Sequence, residues 1–205
     1  MANDTRQRMV AGAARMISRR GVDAMSLREL AEIEGVPLGS TYHFFPGGKA
    51  ALVDEAVNYV GDQVTGSIAA TQGKGTEHIV RWVVHAWRRI LVGSDFRAGC
   101  PVLAAAVAKD ERHRETARAV FDRWTRGLAD VLVDDGIPAE RAPAVARTVI
   151  ASLEGAVGLA RAFGDIGPLD DVETELVALV SAATGRGVPD RAPSLVGSSM
   201  TPEVG

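Results

Sequence analysis

SLRELAEIEGVPLGSTYHFFPGGKAAL, residues 26–52, decides how the 205-residue chain is read. Ser26 with Glu29 three residues on is capping-box spacing, in which a hydroxyl takes an orphan N–H of the first helical turn. Leu27, Leu30 and Ala31 then form an inward face at helical spacing. Gly35 stops that helix after about two turns, since glycine enters the left-handed region without steric cost. Pro37 suits the start of the next helix, where its missing N–H is not needed. Pro46-Gly47-Gly48 breaks the chain again. Residues 26–52 therefore read as two short helices joined by a tight glycine turn.

The pattern stays helical on both sides. Upstream, Thr5–Arg20 carries an apolar stripe of Val10, Ala13, Ala14 and Ile17, with Asp4 and Gln7 in capping-box spacing and Gly21 as the stop. Downstream, helices are predicted over 49–70, 76–92, 101–108, 111–133, 138–163 and 169–184. Ala117, Val120, Phe121, Trp124, Leu128 and Val131 share one stripe of the 111–133 helix, and the helix over 138–163 is apolar nearly all round. No run alternates as a half-buried strand does. The predicted fold class is all-α: an N-terminal three-helix domain over residues 1–50 and an antiparallel helical bundle over 51–185. The last stretch, 186–205, is rich in Gly, Pro and Ser without apolar periodicity and is expected to be disordered.

Composition narrows the classes. Hydrophobic residues make up 46% and charged residues 24%, ordinary values for a globular chain. One cysteine excludes an intrachain disulfide and a multi-cysteine metal site. No uncharged apolar run approaches the roughly 20 residues that cross a bilayer, and the arginine-bearing N-terminus lacks a secretory core, so no membrane partner is expected. The expectation is a cytoplasmic protein without cofactor or metal. The net charge of −3 is unevenly spread. Residues 1–49 hold seven Lys and Arg against five Asp and Glu, whereas the remainder is acidic, so a mildly basic head sits on an acidic body.

A short helix, a glycine turn and a second short helix is the helix-turn-helix arrangement, whose second helix enters a DNA major groove. At helical spacing Val36, Thr41, Phe44 and Phe45 fall on one side of that second helix. Leu38, Gly39, Tyr42 and His43 fall on the other, with Ser40 at the edge. The outward side is small or hydrogen-bonding, where an ordinary amphipathic helix would show Lys and Glu. On these residues alone, a capped helix pair of incidental polarity inside a larger bundle stays open.

The whole run, with the Arg20-Gly21 break before it, resembles the DNA-binding motif of tetracycline-repressor-type regulators. The shared features are the capped helix with Leu30-Ala31, the Gly35-Val36 turn, Gly39, the Tyr42 and Phe45 pair, and the lysine opening the next helix. GCPVLAAAV at 99–107 and SLEGAVGLARAFGDIGPL at 152–169 resemble the body of a subgroup that includes flavonoid-responsive repressors. The resemblance implies a repressor that binds double-stranded DNA at a near-palindromic operator as a homodimer and leaves it on binding a small, largely apolar, aromatic effector. Tyr42 and Lys49 stand at the family's phosphate-anchoring positions, and their hydroxyl and ammonium suit phosphate oxygens. Ser40 and His43 are the base-edge candidates, and Leu38 is limited to apolar contact such as a thymine methyl. Ser26, as N-cap, and Arg28 lie on the helix that crosses the backbone. Pro37 and Leu38 stand where the family often has Ser or Thr and a basic residue, so direct base hydrogen bonds are expected to be few. Ala50 replaces the glutamate usual after the lysine.

No catalytic constellation emerges from the rest. His78, Arg81, His85, Arg88 and Arg89 recur at helical spacing as a solvated face. His113, among Glu111, Arg112, Arg114 and Glu115, is expected to be exposed. Cys100 precedes Pro101 at a helix-cap position, where a sharp turn and a redox-sensing thiol are both readings. Trp82, Phe96, Phe121 and Trp124, with Cys100, are the candidate ligand-pocket residues; Trp87 belongs to the same group of aromatics. Arg147, Glu154 and Arg161 share a seven-residue stripe, read as a dimer-interface or internal ion pair, with Val157 as an outward apolar position of the same interface. Alternatives are a regulator without a small-molecule effector, or an all-α carrier or enzyme, for which the body alone would suffice.

Overall fold

The computed structural model describes residues 2–184. The expected tail over 186–205 lies outside the described residues. Nine α-helices and no strand occur among those described: α1 Ala2–Arg20, α2 Leu27–Ile33, α3 Leu38–Phe44, α4 Gly48–Ala69, α5 Thr76–Gly93, α6 Pro101–Ala106, α7 Glu111–Asp134, α8 Ala142–Phe163 and α9 Gly167–Ala183.

The all-α expectation holds, and the differences lie at helix ends. α1 begins at Ala2, so Asp4 sits in its first turn instead of capping it. Residues 138–141 form a turn in which Pro138 O accepts from the N–H of both Arg141 and Ala142 at 2.9 Å, and α8 starts only after it. Ser26 caps α2 as expected, its side chain accepting from Glu29 N at 3.3 Å. The Glu29 carboxylate turns instead to Arg20 Nη1, 2.6 Å away, because a charged donor holds a carboxylate more strongly than a neutral backbone N–H does.

α1–α3 wrap a small core of Met9, Ala13, Ile17 and Leu30, closed by Thr41 and Phe45 from the α3 end. Gly12 lets α1 meet α2: a Cβ there would lie 2.5 Å from Glu34 Oε1 and 2.8 Å from Leu30 Cδ1. Arg15 pairs with the same Glu34 at 2.8 Å. The head is tied to α4 by Arg6, which reaches Glu55 at 2.6 Å and lies over the Phe45 ring.

α4 runs on into the body and packs closely along α7. A Cβ on Gly61 would lie 2.9 Å from both Val120 methyls, and Trp124 Nε1 donates to Gly61 O at 3.0 Å. At the other end of that contact the exposed-His113 expectation fails. His113 is only 5% exposed, its Nδ1 lies 2.6 Å from Asp54 Oδ1 of α4, and Arg112 Nε donates to Asp54 Oδ2. Arg112 shares the Asp54 carboxylate with His113, and this tertiary contact with a residue 59 positions away buries the ring. α5 is fastened to α9 by Arg88–Asp170 at 2.5 Å, Arg81–Glu173 at 3.4 Å and Glu77–Ser181 at 2.7 Å, so two members of the expected solvated face make inter-helix ion pairs.

α8 alone among the described helices is long and apolar enough to cross a membrane by length and composition. It carries Arg147, Glu154 and Arg161 and packs between α7 and α9.

Candidate nucleic-acid interface and an apolar cavity

α3 divides as its spacing predicts. Val36, Thr41 and Phe45 are buried, while Pro37, Leu38, Gly39, Tyr42 and His43 are exposed and Ser40 is half-buried. Tyr42 at 55% and Leu38 at 40% exposure are large side chains held in solvent by a helix whose other face is locked into the head. Gly35 makes the preceding turn possible, with φ at +65°. Arg28 is exposed on the first turn of α2, and Ser26 is half-buried at its cap. Lys49 Nζ donates to Asp23 O at 2.9 Å, joining the start of α4 to the loop between α1 and α2. The nine residues of the sequence-derived interface thus lie on α2, α3, their caps and the first turn of α4, with Tyr42, His43 and Arg28 facing solvent.

A second feature is a cavity of about 510 Å³ lined by α1, α4, α5, α7, α8 and the Gly99-Cys100-Pro101 turn. Its wall is mostly apolar. Trp82, Cys100 and Trp124 come together there as the sequence predicts. Phe96 does not: it lines a separate groove with Arg19, Arg20, Arg97 and Arg161, because its backbone is left-handed at φ +56° and carries the ring away. Phe121 stacks edge-on against Trp124 at 5.4 Å but does not line the cavity, so it supports the wall without forming it. Trp87, Tyr59 and the α1 residues Ala14, Arg15 and Ser18 also line it. For Trp87 the sequence signal is its membership of the central aromatic group. For the α1 residues there is none, since only packing brings the head's first helix against the body. That contact is anchored by Gly99 N, which donates to Ser18 O at 2.8 Å.

Within one chain, no ion pair forms among Arg147, Glu154 and Arg161 of the described residues, so the internal form of that expectation fails. Arg147 is exposed, and Arg161 lies across Gly99, where a Cβ would be 2.5 Å from Nη1. A seven-residue step moves a side chain about 10 Å along the helix axis, beyond the reach of one carboxylate for both arginines. Glu154 instead turns into the cavity wall beside Cys100. The Cys100 thiol hydrogen-bonds its carboxyl, while Glu154 Oε2 is buried without a partner. Burial raises the Glu154 pKa from 4.5 to about 7, with the thiol donor pulling weakly the other way. Burial likewise pushes the Cys100 thiol well above its ordinary value, and the neighbouring Glu154 charge adds to this. A thiol so held is protonated and a poor nucleophile. Val157, expected to face outward, is 2% exposed and points into the monomer. The outward face of α8 carries Gly155, Gly158, Leu159 and Ala162, ending in Phe163.

Comparison with known proteins agrees with this geometry. Residues 9–56 match the tetR family of bacterial regulatory proteins, and residues 77–175 match the LmrA/YxaF-like C-terminal domain of transcriptional regulators. The Mycobacterium tuberculosis HTH-type transcriptional regulator Rv0196 is 42% identical over 185 residues, covering 86% of this chain and 94% of that protein. The Bacillus subtilis HTH-type transcriptional regulator LmrA is 28% identical over 172 residues, covering 81% and 91%. Among solved structures, a TetR regulator from Legionella pneumophila superposes with a TM-score of 0.73 at 21% identity, over 82% of this chain and 93% of that one. One from Chloroflexus aurantiacus gives 0.70 at 26% identity, over 88% and 96%. With the helix-turn-helix head and the helical body both matched, the chain belongs to the TetR family of DNA-binding transcriptional regulators, with an LmrA/YxaF-like C-terminal domain.

Proposed function

We propose that this regulator is a homodimeric repressor, acting in the cytoplasm, that leaves a near-palindromic operator when a largely apolar, aromatic effector fills the 510 Å³ cavity. The observation that carries the reading is the composition of the cavity wall: Trp82, Trp87 and Trp124 from the body meet Ala14, Arg15 and Ser18 of α1, which belongs to the head. A ligand there touches both parts of the molecule at once. Tight binding alone releases nothing; the effector must prefer the DNA-free arrangement. A hundredfold loss of operator affinity requires about 2.7 kcal/mol of coupling.

In this reading residues 1–50 are the DNA-binding domain and 51–185 the effector and dimerisation domain, with α4 continuous across the division. Tyr42 and Lys49 anchor phosphates, with Ser26 and Arg28 beside the backbone. Ser40 and His43 read base edges, and Pro37, Leu38 and Gly39 allow close apolar approach. Two copies associate through α8 and α9, where Leu159 and Phe163 of α8 are 50% and 69% exposed. The test pairs a mobility shift on the upstream DNA of the chain's own gene with tryptophan quenching by a panel of planar aromatics. Compounds that quench and also release DNA support the reading. Compounds that fill the cavity without changing operator affinity refute it.

A further inference from the structure

We infer that Glu154 is the polar recognition point of the cavity, and that its ligand is an aromatic molecule bearing a hydrogen-bond donor, a hydroxyl or an ammonium, directed at Glu154 Oε2. The inference rests on the reading of the cavity as a ligand site. A carboxyl is costly inside an apolar wall unless each oxygen is partnered. Cys100 lies beside the group in the cavity wall, yet Oε2 is buried with no hydrogen-bond partner. The protein offers no replacement. Arg15, which lines the same cavity, holds Glu34 at 2.8 Å and is mostly in solvent. Arg147 is exposed, and Arg161, which shares a neighbouring groove with Cys100 and Glu154, is exposed and forms no ion pair with the carboxyl. No described ion pair includes Glu154.

The surroundings limit what the missing donor is attached to. Trp82, Trp87, Trp124 and Tyr59 supply ring faces and edges, which favour a flat apolar or cationic body over a sugar or phosphate. An anionic ligand would meet Glu154 in a low-dielectric space and be repelled. A neutral hydroxyl donating to Oε2 and an ammonium pairing with it share one chemistry, and the raised carboxyl gains from either, since both stabilise its charged form. Leaving such a group without its donor is a stronger discriminator than adding or removing a methyl group, because the unpaired polar atom stays desolvated.

The test uses the full chain and three naphthalene probes, 2-naphthol, 2-methoxynaphthalene and 2-naphthylmethylamine, titrated by tryptophan quenching against the wild type, Glu154→Gln and Glu154→Leu. Both variants remove a buried charge and keep the side-chain volume, so folding is preserved, which circular dichroism checks. The wild type should bind at least one donor-bearing probe about tenfold or more tightly than the methoxy compound. The preference should shrink in Glu154→Gln, whose neutral acceptor is weaker, and vanish in Glu154→Leu. Preference for 2-naphthol or for the amine says which donor the site takes. Equal affinities in the wild type, a preference that survives Glu154→Leu, or no binding of any probe would overturn the inference. Quenching reads the cavity whether or not DNA is released, so donor preference without release sinks the repressor mechanism alone, and release without donor preference sinks only the role of Glu154.

Discussion

Glu154→Gln should flatten the stability of this protein between pH 4.5 and pH 8.5. The fold raises the Glu154 pKa from 4.5 to about 7, chiefly by burial, so the folded state holds that proton more tightly than the unfolded chain. The sign follows. Stability associated with neutral Glu154 is fully present below pH 4.5 and is lost as pH rises through about 7. At about 1.4 kcal/mol per pKa unit the loss amounts to roughly 3 kcal/mol at the alkaline end. The charged or titratable groups near Glu154 do not mask it: the Cys100 thiol is held protonated, Arg15 is paired with Glu34, and Arg161 in the neighbouring groove is exposed and makes no ion pair with it. Urea denaturation of both proteins at one concentration, near pH 4.5 and near pH 8.5, isolates the effect as a difference of differences. Any cost of the amide itself is the same at both pH values and cancels. The variant should gain on the wild type by about 3 kcal/mol at the higher pH relative to the lower, or roughly 6–12 °C in Tm for a chain of this size. Parallel pH profiles would show that Glu154 is solvated and that the burial argument is wrong.

Four further outcomes are expected. Leu159→Glu, on the outward face of α8, should yield monomers in sedimentation that bind the operator weakly, whereas a dimer unaffected by this charge would move the interface elsewhere. Lys49→Ala should weaken binding to all DNA sequences and lower the salt slope by about one; an unchanged slope would leave this lysine as a brace on Asp23 O only. Trp124→Ala should weaken aromatic binding, read from quenching of the remaining Trp82 and Trp87, and weaken effector release while operator affinity stays nearly intact, at a stability cost of about 3–5 kcal/mol read from urea titration. Asp54→Ala strips buried His113 of its partner and should cost about 1–3 kcal/mol in the same assay; no loss would mean that water replaces the carboxylate.

The head is legible in its local sequence. Ser26, Gly35 and Pro37 act on their immediate neighbours through hydrogen bonding and backbone sterics, and the 3.6-residue period sorts α3 into the buried Thr41 and Phe45 and the exposed Leu38, Tyr42 and His43. Such rules operate within a turn or two of helix, so helix content, the two short helices and the outward face follow from sequence alone. The helix starts of α1 and α8 slip by three or four residues because Asp4 and Pro138 carry capping signals that several registers satisfy.

The body behaves differently, because its decisive contacts join residues far apart in the chain. His113 looks solvated among its charged neighbours, yet Asp54 buries it from 59 residues away. Glu154 shares a stripe with two arginines, yet among the described residues it pairs with neither and lies beside Cys100 in the cavity wall. Periodicity says which residues share a face but not which helix covers that face, so the sequence determined a helical regulator with a DNA-facing head. Only the packing of α1, α4, α5, α7 and α8 decided that three tryptophans, one thiol and one unpartnered carboxyl would line one cavity, since that arrangement depends on interhelical distances no local rule contains.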